Sequence, residues 1–307
     1  MEFPAPCAAQ EITLLAGSIS SANSWPRSYA WSFDYRQPLP GPFSLTTSYL
    51  NQGHFPGHHR DGVAAEVWAH TDLLDGRLRL AVGLGPFRYY DTTVAAHGGG
   101  YSDAHGLAML YSAGATWRPA GSRWFGELRL DSTSPSNSIA TTSVSLGVGY
   151  RLDHDTWSRS YSERESAHDE SEVTLFYGKT VVNSFNSQEA QAKAAEFRER
   201  FTNRLRASVA FINEGDARLI RRSGGVVEGW LEPSFFEGRY TLGIGAGVYA
   251  AIDKYHPTPG RHVSAILTMT MSYRVLDRAD LRFNWHRIVT DYNRDTDIVL
   301  LGLGYRF

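Results

Sequence analysis

The chain has little of three features that would narrow its function at once. Its single cysteine excludes both an intramolecular disulfide and a cysteine-rich metal cluster. No apolar run approaches the roughly 18–20 residues that a membrane-spanning helix needs. The formal charge of −2 over 307 residues gives no basic footprint, so we expect no nucleic-acid partner.

What the sequence does have is strand periodicity, seen best in its last eleven residues. Apolar side chains occupy every second position there: Val299, Leu301, Leu303, Tyr305 and Phe307. Such a strand has one apolar face and one small or polar face. A terminal strand that ends on an aromatic residue resembles the closing strand of bacterial outer-membrane β-barrels, where it is the signal that the barrel-assembly machinery reads. The resemblance implies that the barrel-assembly machinery is a partner that binds the chain through Phe307. The alternative interpretation of this segment is the last strand of a soluble β-sandwich.

The chain also contains an internal duplication. Leu146–Leu152 nearly copies Leu301–Phe307. Three further matches keep the same order: Glu11–Gly17 with Glu172–Gly178, Arg77–Gly85 with Arg239–Gly247, and Glu66 and Trp68 with Glu228 and Trp230. Matches that keep their order while only loop lengths change indicate two repeats of one structural unit.

Alternating segments of about ten residues, divided by turn residues, predict eight strands in each repeat. They cover roughly 11–20, 28–37, 43–52, 62–73, 77–91, 106–118, 124–133, 141–152, 172–185, 190–201, 204–214, 224–235, 239–254, 262–275, 281–290 and 297–307. The predicted fold class is therefore all-β, a transmembrane antiparallel β-barrel of about sixteen strands from two eight-strand repeats. The 8 tryptophans and 16 tyrosines suit the aromatic girdles of such a barrel.

The predicted organisation has four parts. Residues 1–10, which include Cys7, are a signal-peptide remnant or the start of a trimmed chain. Residues 11–152 and 172–307 are the two repeats, and 153–171 is a polar periplasmic linker that could dock a periplasmic partner. Within the second repeat, the helix-forming composition of Gln188–Arg200 restricts the tenth strand to about 194–201 and leaves 187–193 as an extracellular loop that could carry a helical turn. Sixteen strands could form one barrel or two barrels of eight. Polar inward faces favour one barrel, in which the strand of Phe307 pairs with the strand near Glu11.

The inward faces carry the predicted lumen. By strand parity its charged and polar lining is Arg77, Arg79, Glu127, Arg129, Asp131, Arg151, Arg204, Arg206, Glu228, Arg239, Arg282, Asn284, His286 and Arg306. Glycines such as Gly83 and Gly245 alternate with these residues, which predicts an aqueous, glycine-lined interior. The same parity turns Val82 and Leu242 towards lipid. Arginine placed at either glycine would then narrow the lumen with less loss of stability than arginine at Val82 or Leu242.

Each repeat resembles in outline the lipid A 3-O-deacylase family, eight-stranded outer-membrane barrels with a histidine, a serine two residues later and an acidic partner near the last strand. In the first repeat Asp131 or Ser132 occupies the region of that histidine. His286 stands at the histidine position, but Ile288 stands where the serine would be. Asp295 or Asp297 could be the acidic partner. The resemblance implies lipopolysaccharide as substrate, yet without a nucleophile the acid and base do not make this esterase. The enzyme class stays uncertain and leans towards none, with His286 as the only catalytic candidate.

Three loop constellations could bind a metal, namely His54–Asp61, His97–His105 and Tyr292–Asp297, but exposed flexible loops explain them as well, so we predict no metal and no cofactor. The function that the sequence favours is a bacterial outer-membrane channel or export conduit for a polar solute, such as a polysaccharide. The alternatives are a deacylase-type esterase of lipid A and a structural or docking barrel with a plugged lumen. Membrane lipid and lipopolysaccharide are the expected surroundings.

Overall fold

The computed structural model describes residues 9–21, 24–95, 100–152, 171–202, 205–235, 238–255 and 259–307. The described chain is built of antiparallel β-strands, and it divides into two compact units, Met1–His154 and Asp155–Phe307. Among the described residues, no helix is long and apolar enough to cross a membrane.

The first unit contains eight long strands. They are β1 Gln10–Ser21, β2 Ser24–Pro38, β3 Phe43–Phe55, β4 His58–Leu73, β5 Leu78–Val94, β6 Tyr101–Trp117, β7 Trp124–Thr133 and β8 Thr141–Leu152. Each strand pairs with the next, and β8 pairs back onto β1, with Ala16 opposite Leu146. The first repeat is therefore a closed eight-stranded barrel.

The second unit repeats this plan. Its strands are β9 Ser171–Val182, β10 Glu189–Arg200, β11 Leu205–Asn213, β12 Arg222–Leu231, the two-residue β13 Ser234–Phe235, β14 Tyr240–Asp253, β15 Gly260–Leu276, β16 Ala279–Val289 and β17 Thr296–Arg306. The last strand, β17, pairs with β9, and β12 pairs with β14, so eight long strands close into a ring.

These pairings confirm the predicted class, an antiparallel barrel fold with sixteen long strands from two repeats, but the expected single closed barrel is wrong. The strand of Phe307 pairs with β9, and the strand near Glu11 pairs with β8. The reason is that β8 and β17 carry almost the same sequence, so β1 can pair equally well with either by local pattern. Closure within each repeat satisfies every strand edge.

Strand boundaries differ from the prediction mainly at one rim. Residues 189–193, expected in a loop, belong to β10, and the expected long loop His54–Asp61 is a tight hairpin whose Gly57 has a φ of +77°. The flanking strands supply the ladder hydrogen bonds that outweigh the helix-forming composition of 187–193. Residues 1–8, with Cys7, and the linker residues 153–170 lie outside the described residues.

Alternation separates two chemically different faces in both barrels. Outward side chains are aliphatic or aromatic and exposed, for example Val82, Leu146 and Ile244, as the sequence predicts. Inward side chains are buried, and many are charged or polar. We call the rim with the β2–β3, β4–β5 and β6–β7 connections, and their counterparts in the second unit, the turn end, and the opposite rim the loop end.

Candidate functional site

The interior of the second barrel has a charged layer at the turn end. Arg282 donates to Glu172 (Nη2–Oε2 2.8 Å) and to Glu232 (Nη1–Oε1 3.1 Å). Arg198 pairs with Glu232 and, at 2.6 Å, with Glu196. All five side chains are at most 3% exposed. A buried charge is tolerated only when it is paired, so these residues form one mutually dependent cluster.

A band of neutral and acidic polar groups lies next to this layer. Thr268 Oγ1 donates to Glu228 Oε1 at 2.6 Å and lies 2.7 Å from His286 Nδ1. Thr270 donates to the Asn284 side-chain carbonyl at 2.6 Å. These contacts hold the polar side chains of β12, β15 and β16 in fixed positions across the barrel.

An apolar layer follows towards the loop end. Its buried members come from all eight long strands: Phe176, Ala192, Ile212, Val226, Tyr249, Ala251, Ile266, Ile288, Ile298 and Leu300. None is more than 6% exposed. A packed apolar layer that spans a barrel interior leaves no continuous polar path for an ion.

A second charged cluster lies at the loop end. Arg222 donates to Glu214 (Nη2–Oε2 2.9 Å), to Thr296 Oγ1 (2.8 Å) and to the Tyr292 phenol (2.8 Å). Burial raises the pKa of Tyr292, which lies in the loop before β17, so its hydroxyl stays protonated at neutral pH. The second barrel thus has the layer order charged, apolar, charged.

The first barrel has the same order. At its turn end Arg129 pairs with Asp34 and, at 2.6 Å, with Glu127, while Arg36 pairs with Glu127 at 3.3 Å. Between the two ends lies a smaller apolar cluster from four of the eight strands, β3 to β6, which consists of Leu50, Ala64, Phe87, Tyr89 and Leu110. At the loop end Arg60 donates to Gln52, Thr141, Ser138 and the Ile139 carbonyl.

Corresponding residues carry these layers in both barrels. The pairs Arg36 and Arg198, Arg60 and Arg222, Glu66 and Glu228, and Trp68 and Trp230 are all separated by the same number of residues. Strand register is also repeated. Trp31 on β2 is paired with Ala16 on β1 and with Asn51 on β3. Lys193 on β10 is paired in the same way with Tyr177 on β9 and with Asn213 on β11. The duplication seen in the sequence is therefore a duplication of barrel interiors.

The interior glycines do not line open space. A Cβ atom at Gly83 would lie 2.5 Å from the Trp68 ring, and one at Gly245 would lie 2.6 Å from the Trp230 ring. Gly302 lies against Phe176 in the same way, at 2.5 Å. The expected glycine-lined lumen is wrong because aromatic rings occupy that space, and an arginine at Gly83 or Gly245 would meet the Trp68 or Trp230 ring.

Most of the predicted lining residues do point inward. Nine are buried inside the barrels: Glu127, Arg129, Asp131, Arg206, Glu228, Arg282, Asn284, His286 and Arg306. Four others lie at the rims, where the barrel ends, and do not line the interior. Arg77 and Arg239 are exposed, Arg151 is half-buried, and Arg79 is half-buried in an ion pair with Asp72. Arg204 lies outside the described residues.

Sequence reasoning missed several residues that organise the interior. Arg36, Arg60, Arg198 and Arg222 are each 5% exposed or less, although all four carry a full charge. The signal was present, since each pair recurs at the spacing of the duplication in an inward position of a strand. Strand parity combined with the repeat would have identified them.

The corner that resembles the deacylases does not assemble a catalytic set. His286 is buried in the barrel interior, and Ile288 belongs to the apolar layer. Asp297 accepts from Arg287 (2.8 Å) and Trp285 (3.1 Å). Asp295 accepts from the Thr290 hydroxyl and backbone N–H. Both carboxylates accept hydrogen bonds from other residues, and none of these contacts involves His286.

The loop histidines form ring and acid contacts. His54 stacks on His59 with ring centroids 3.8 Å apart, and His58 Nδ1 lies 2.8 Å from Asp91. Within the described ranges, no group of three or more histidine, cysteine or acidic side chains could hold a metal ion. Part of the segment His97–His105 lies outside those ranges.

No protein-family model matches the chain, and no curated protein matches it. Similar solved structures are outer-membrane barrels. The N-terminal β-barrel domain of Pseudomonas aeruginosa OprF is 15% identical with a TM-score of 0.38, and covers 47% of this chain and 99% of its own. Neisserial surface protein A is 8% identical with a TM-score of 0.37 over 47% and 96%. An outer-membrane channel from Pseudomonas putida is 12% identical with a TM-score of 0.23 over 99% and 98%. Likeness at this level carries no argument about function.

Proposed function

We propose that the chain is a bacterial outer-membrane protein in which two eight-stranded barrels span the membrane with sealed interiors. Its function is then carried by its walls and rims, as in a structural or docking barrel. The single observation that supports this proposal is the apolar layer that separates two charged layers inside the second barrel, with a smaller apolar cluster at the corresponding level of the first barrel.

The exterior supports the membrane location. On β5 the outward residues Leu80, Val82 and Leu84 are 41–63% exposed, and on β17 Val299, Leu301 and Leu303 are 40–69% exposed. Such a surface is stable only against lipid or another apolar surface. Trp117 and Trp124 flank the β6–β7 turn and remain exposed, which suits an interfacial aromatic girdle.

The interior supports sealing. Eight-stranded barrels are just wide enough for side chains to fill them. Here arginines, tryptophans and the apolar layer fill both units. A polysaccharide would need a wider bore, so the export conduit that the sequence favours would require these layers to move apart.

A narrow conduit for small polar solutes is the second candidate. The charged layers at both ends of each barrel favour it, because charged vestibules on either side of an apolar constriction are the arrangement of a pore closed by dewetting. In that case the apolar layer is the gate, and separation of Phe176 from Leu300 would open it.

Planar-bilayer recording separates the two candidates. A sealed barrel gives no conductance steps, whereas the Phe176→Ala/Leu300→Ala double variant should conduct, because it removes bulk from the apolar layer. Leu303→Ala is the matched control, since Leu303 lies on the outer face of the same strand. Gel mobility with and without heating shows that each variant is folded. Steady conductance of the unmodified protein would overturn sealing and establish the conduit.

Three further expectations remain proposals. Deacylation of lipid A has the buried His286 as its only candidate residue; mass spectrometry of lipid A from cells making the protein would reveal a lost acyl chain.

Recognition by the assembly machinery through Phe307 predicts that deletion of Phe307 lowers the amount inserted in the outer membrane. A periplasmic contact at 153–171 is the third proposal, and replacing that segment by a glycine–serine linker tests it.

A further inference from the structure

The outer wall of the second barrel carries a strip with a cationic upper part and an apolar lower part. We propose that this strip binds one anionic phospholipid, with the phosphate at Lys193 and an acyl chain over Ala195. The inference rests on the proposed membrane location and adds to it a defined lipid site.

The lower part of the strip is a shallow groove of about 330 Å³. It is lined by side chains of β9, β10 and β11: Val173, Ala195, Phe197, Val209 and Phe211, with Glu196 and Ala210 at its base. Ala195 lies opposite Phe211 in the strand register and one outward position from Phe197. Its methyl group leaves a depression beside two exposed rings, a shape that suits a flexible hydrocarbon chain.

The upper part is a polar cavity of about 410 Å³, one outward position nearer the loop end. Gln191, Lys193, Asn213, Gly215 and Asp216 line it, together with Ala190. The Asn213 side-chain carbonyl accepts from the Gly215 N–H at 2.9 Å, which leaves the Asn213 amino group to donate to a ligand. An ammonium group with amide donors beside it suits a phosphate.

The balance of charge in this cavity is positive. Nearby acids already have partners, since Glu189 pairs with Lys179 at 2.8 Å and Asp216 lies 3.9 Å from Arg221. Lys193 is exposed and has no ion-pair partner in the part of the chain that the structure describes. A lipid phosphate would supply that partner at the level where its acyl chain enters the groove.

The first barrel shows that this strip is specific to the second. In the first barrel, Trp31 occupies the position that corresponds to Lys193, and Phe33 occupies the position that corresponds to Ala195, in the same register. There the Trp31 and Tyr49 rings are 5.3 Å apart and cover the wall. The two repeats share their interiors but differ at this strip, where one has aromatic rings and the other has a cation above a groove.

The length of the strip agrees with one chain. Lys193 and Phe197 are four residues apart on β10, which is about 13 Å of strand. The acyl chain would run along the wall towards the turn end, with its head group at the loop end. The site therefore selects a lipid of the leaflet on the loop side.

Native mass spectrometry tests the proposal on the full chain. The protein in maltoside micelles is titrated with phosphatidylglycerol, with phosphatidylcholine and with inorganic phosphate. We expect one phosphatidylglycerol to be retained about five-fold better than phosphatidylcholine, and free phosphate not to be retained. Lys193→Gln should abolish the preference between the lipids, and Ala195→Phe, which installs the residue of the first barrel, should abolish retention.

Ala246→Phe is the matched control, because Ala246 is an exposed outward alanine on β14 of the same barrel. It should leave retention unchanged. If Lys193→Gln preferred phosphatidylglycerol over phosphatidylcholine as strongly as the unmodified protein does, the phosphate site would be overturned. If Ala195→Phe retained phosphatidylglycerol as well as the unmodified protein does, the groove would be overturned. Retention of free phosphate would indicate a simple anion site instead. If neither the unmodified protein nor any variant inserts into lipid vesicles, the proposed membrane location fails. If all of them insert but none prefers phosphatidylglycerol over phosphatidylcholine, only the lipid site fails.

Discussion

The indole ring of Trp230 packs directly on Gly245, its register partner on the neighbouring strand. A Cβ atom at Gly245 would approach the ring to 2.6 Å. Trp68 and Gly83 repeat the arrangement at 2.5 Å, also as register partners. The glycine therefore makes room for a tryptophan that fills the barrel, which explains how a glycine-rich inner face and a closed interior coexist.

Gly245→Ala should destabilise the second barrel by about 1–3 kcal/mol, because the added methyl group overlaps a large ring that has no space to move. Urea unfolding in detergent micelles, followed by tryptophan fluorescence, measures the change. Gly229→Ala is the matched control, since a Cβ there meets nothing within 4 Å. A Gly245→Ala protein as stable as the control would show that Trp230 does not occupy this position.

Arg282→Met should cost about 3–5 kcal/mol, because it leaves Glu172 and Glu232 buried without their shared cation. Arg239→Met, at an exposed rim position, should change stability by less than about 0.5 kcal/mol. Thermal unfolding of both variants tests the difference. Equal stability would mean that the interior is hydrated rather than packed.

Val82→Arg should cost roughly 2–4 kcal/mol, because Val82 is 63% exposed in the middle of the apolar outer face of β5. Val94→Arg, at the loop end of the same strand, should cost about 0–1 kcal/mol. Unfolding in lipid vesicles gives both values. If the two substitutions were equally tolerated, the outer face would not be in contact with hydrocarbon.

Disulfide cross-linking tests the separate closure of the two barrels. Ala16→Cys paired with Leu146→Cys should form a bridge, because the two residues face each other across β1 and β8. Ala16→Cys paired with Leu301→Cys should not, although one sixteen-stranded barrel would place these strands side by side. Non-reducing gel mobility after mild oxidation distinguishes the two outcomes. Cys7→Ser in both backgrounds removes the native thiol.

The strands show how much the sequence predicts. β7 and β8 were predicted at their observed bounds, because alternation with turn residues on both sides is a local property of the chain. Residues 189–193 of β10 were predicted as loop, since their helix-forming composition is overridden by ladder pairing with β9. The inward position of Arg282 and the outward position of Val82 followed from parity alone.

The sequence by itself determined the duplication, the antiparallel strands and which side chains face inward, because each of these depends on a period of two or on order along the chain. The tertiary structure alone decided which strands close the barrels. β8 and β17 present nearly identical edges to β1, so local pattern cannot choose between them. The choice depends on the curvature and stagger of all eight strands together. That closure also decides whether inward arginines line water or form ion pairs, since only a ring of eight brings Glu172 to Arg282 from strands that lie 110 residues apart.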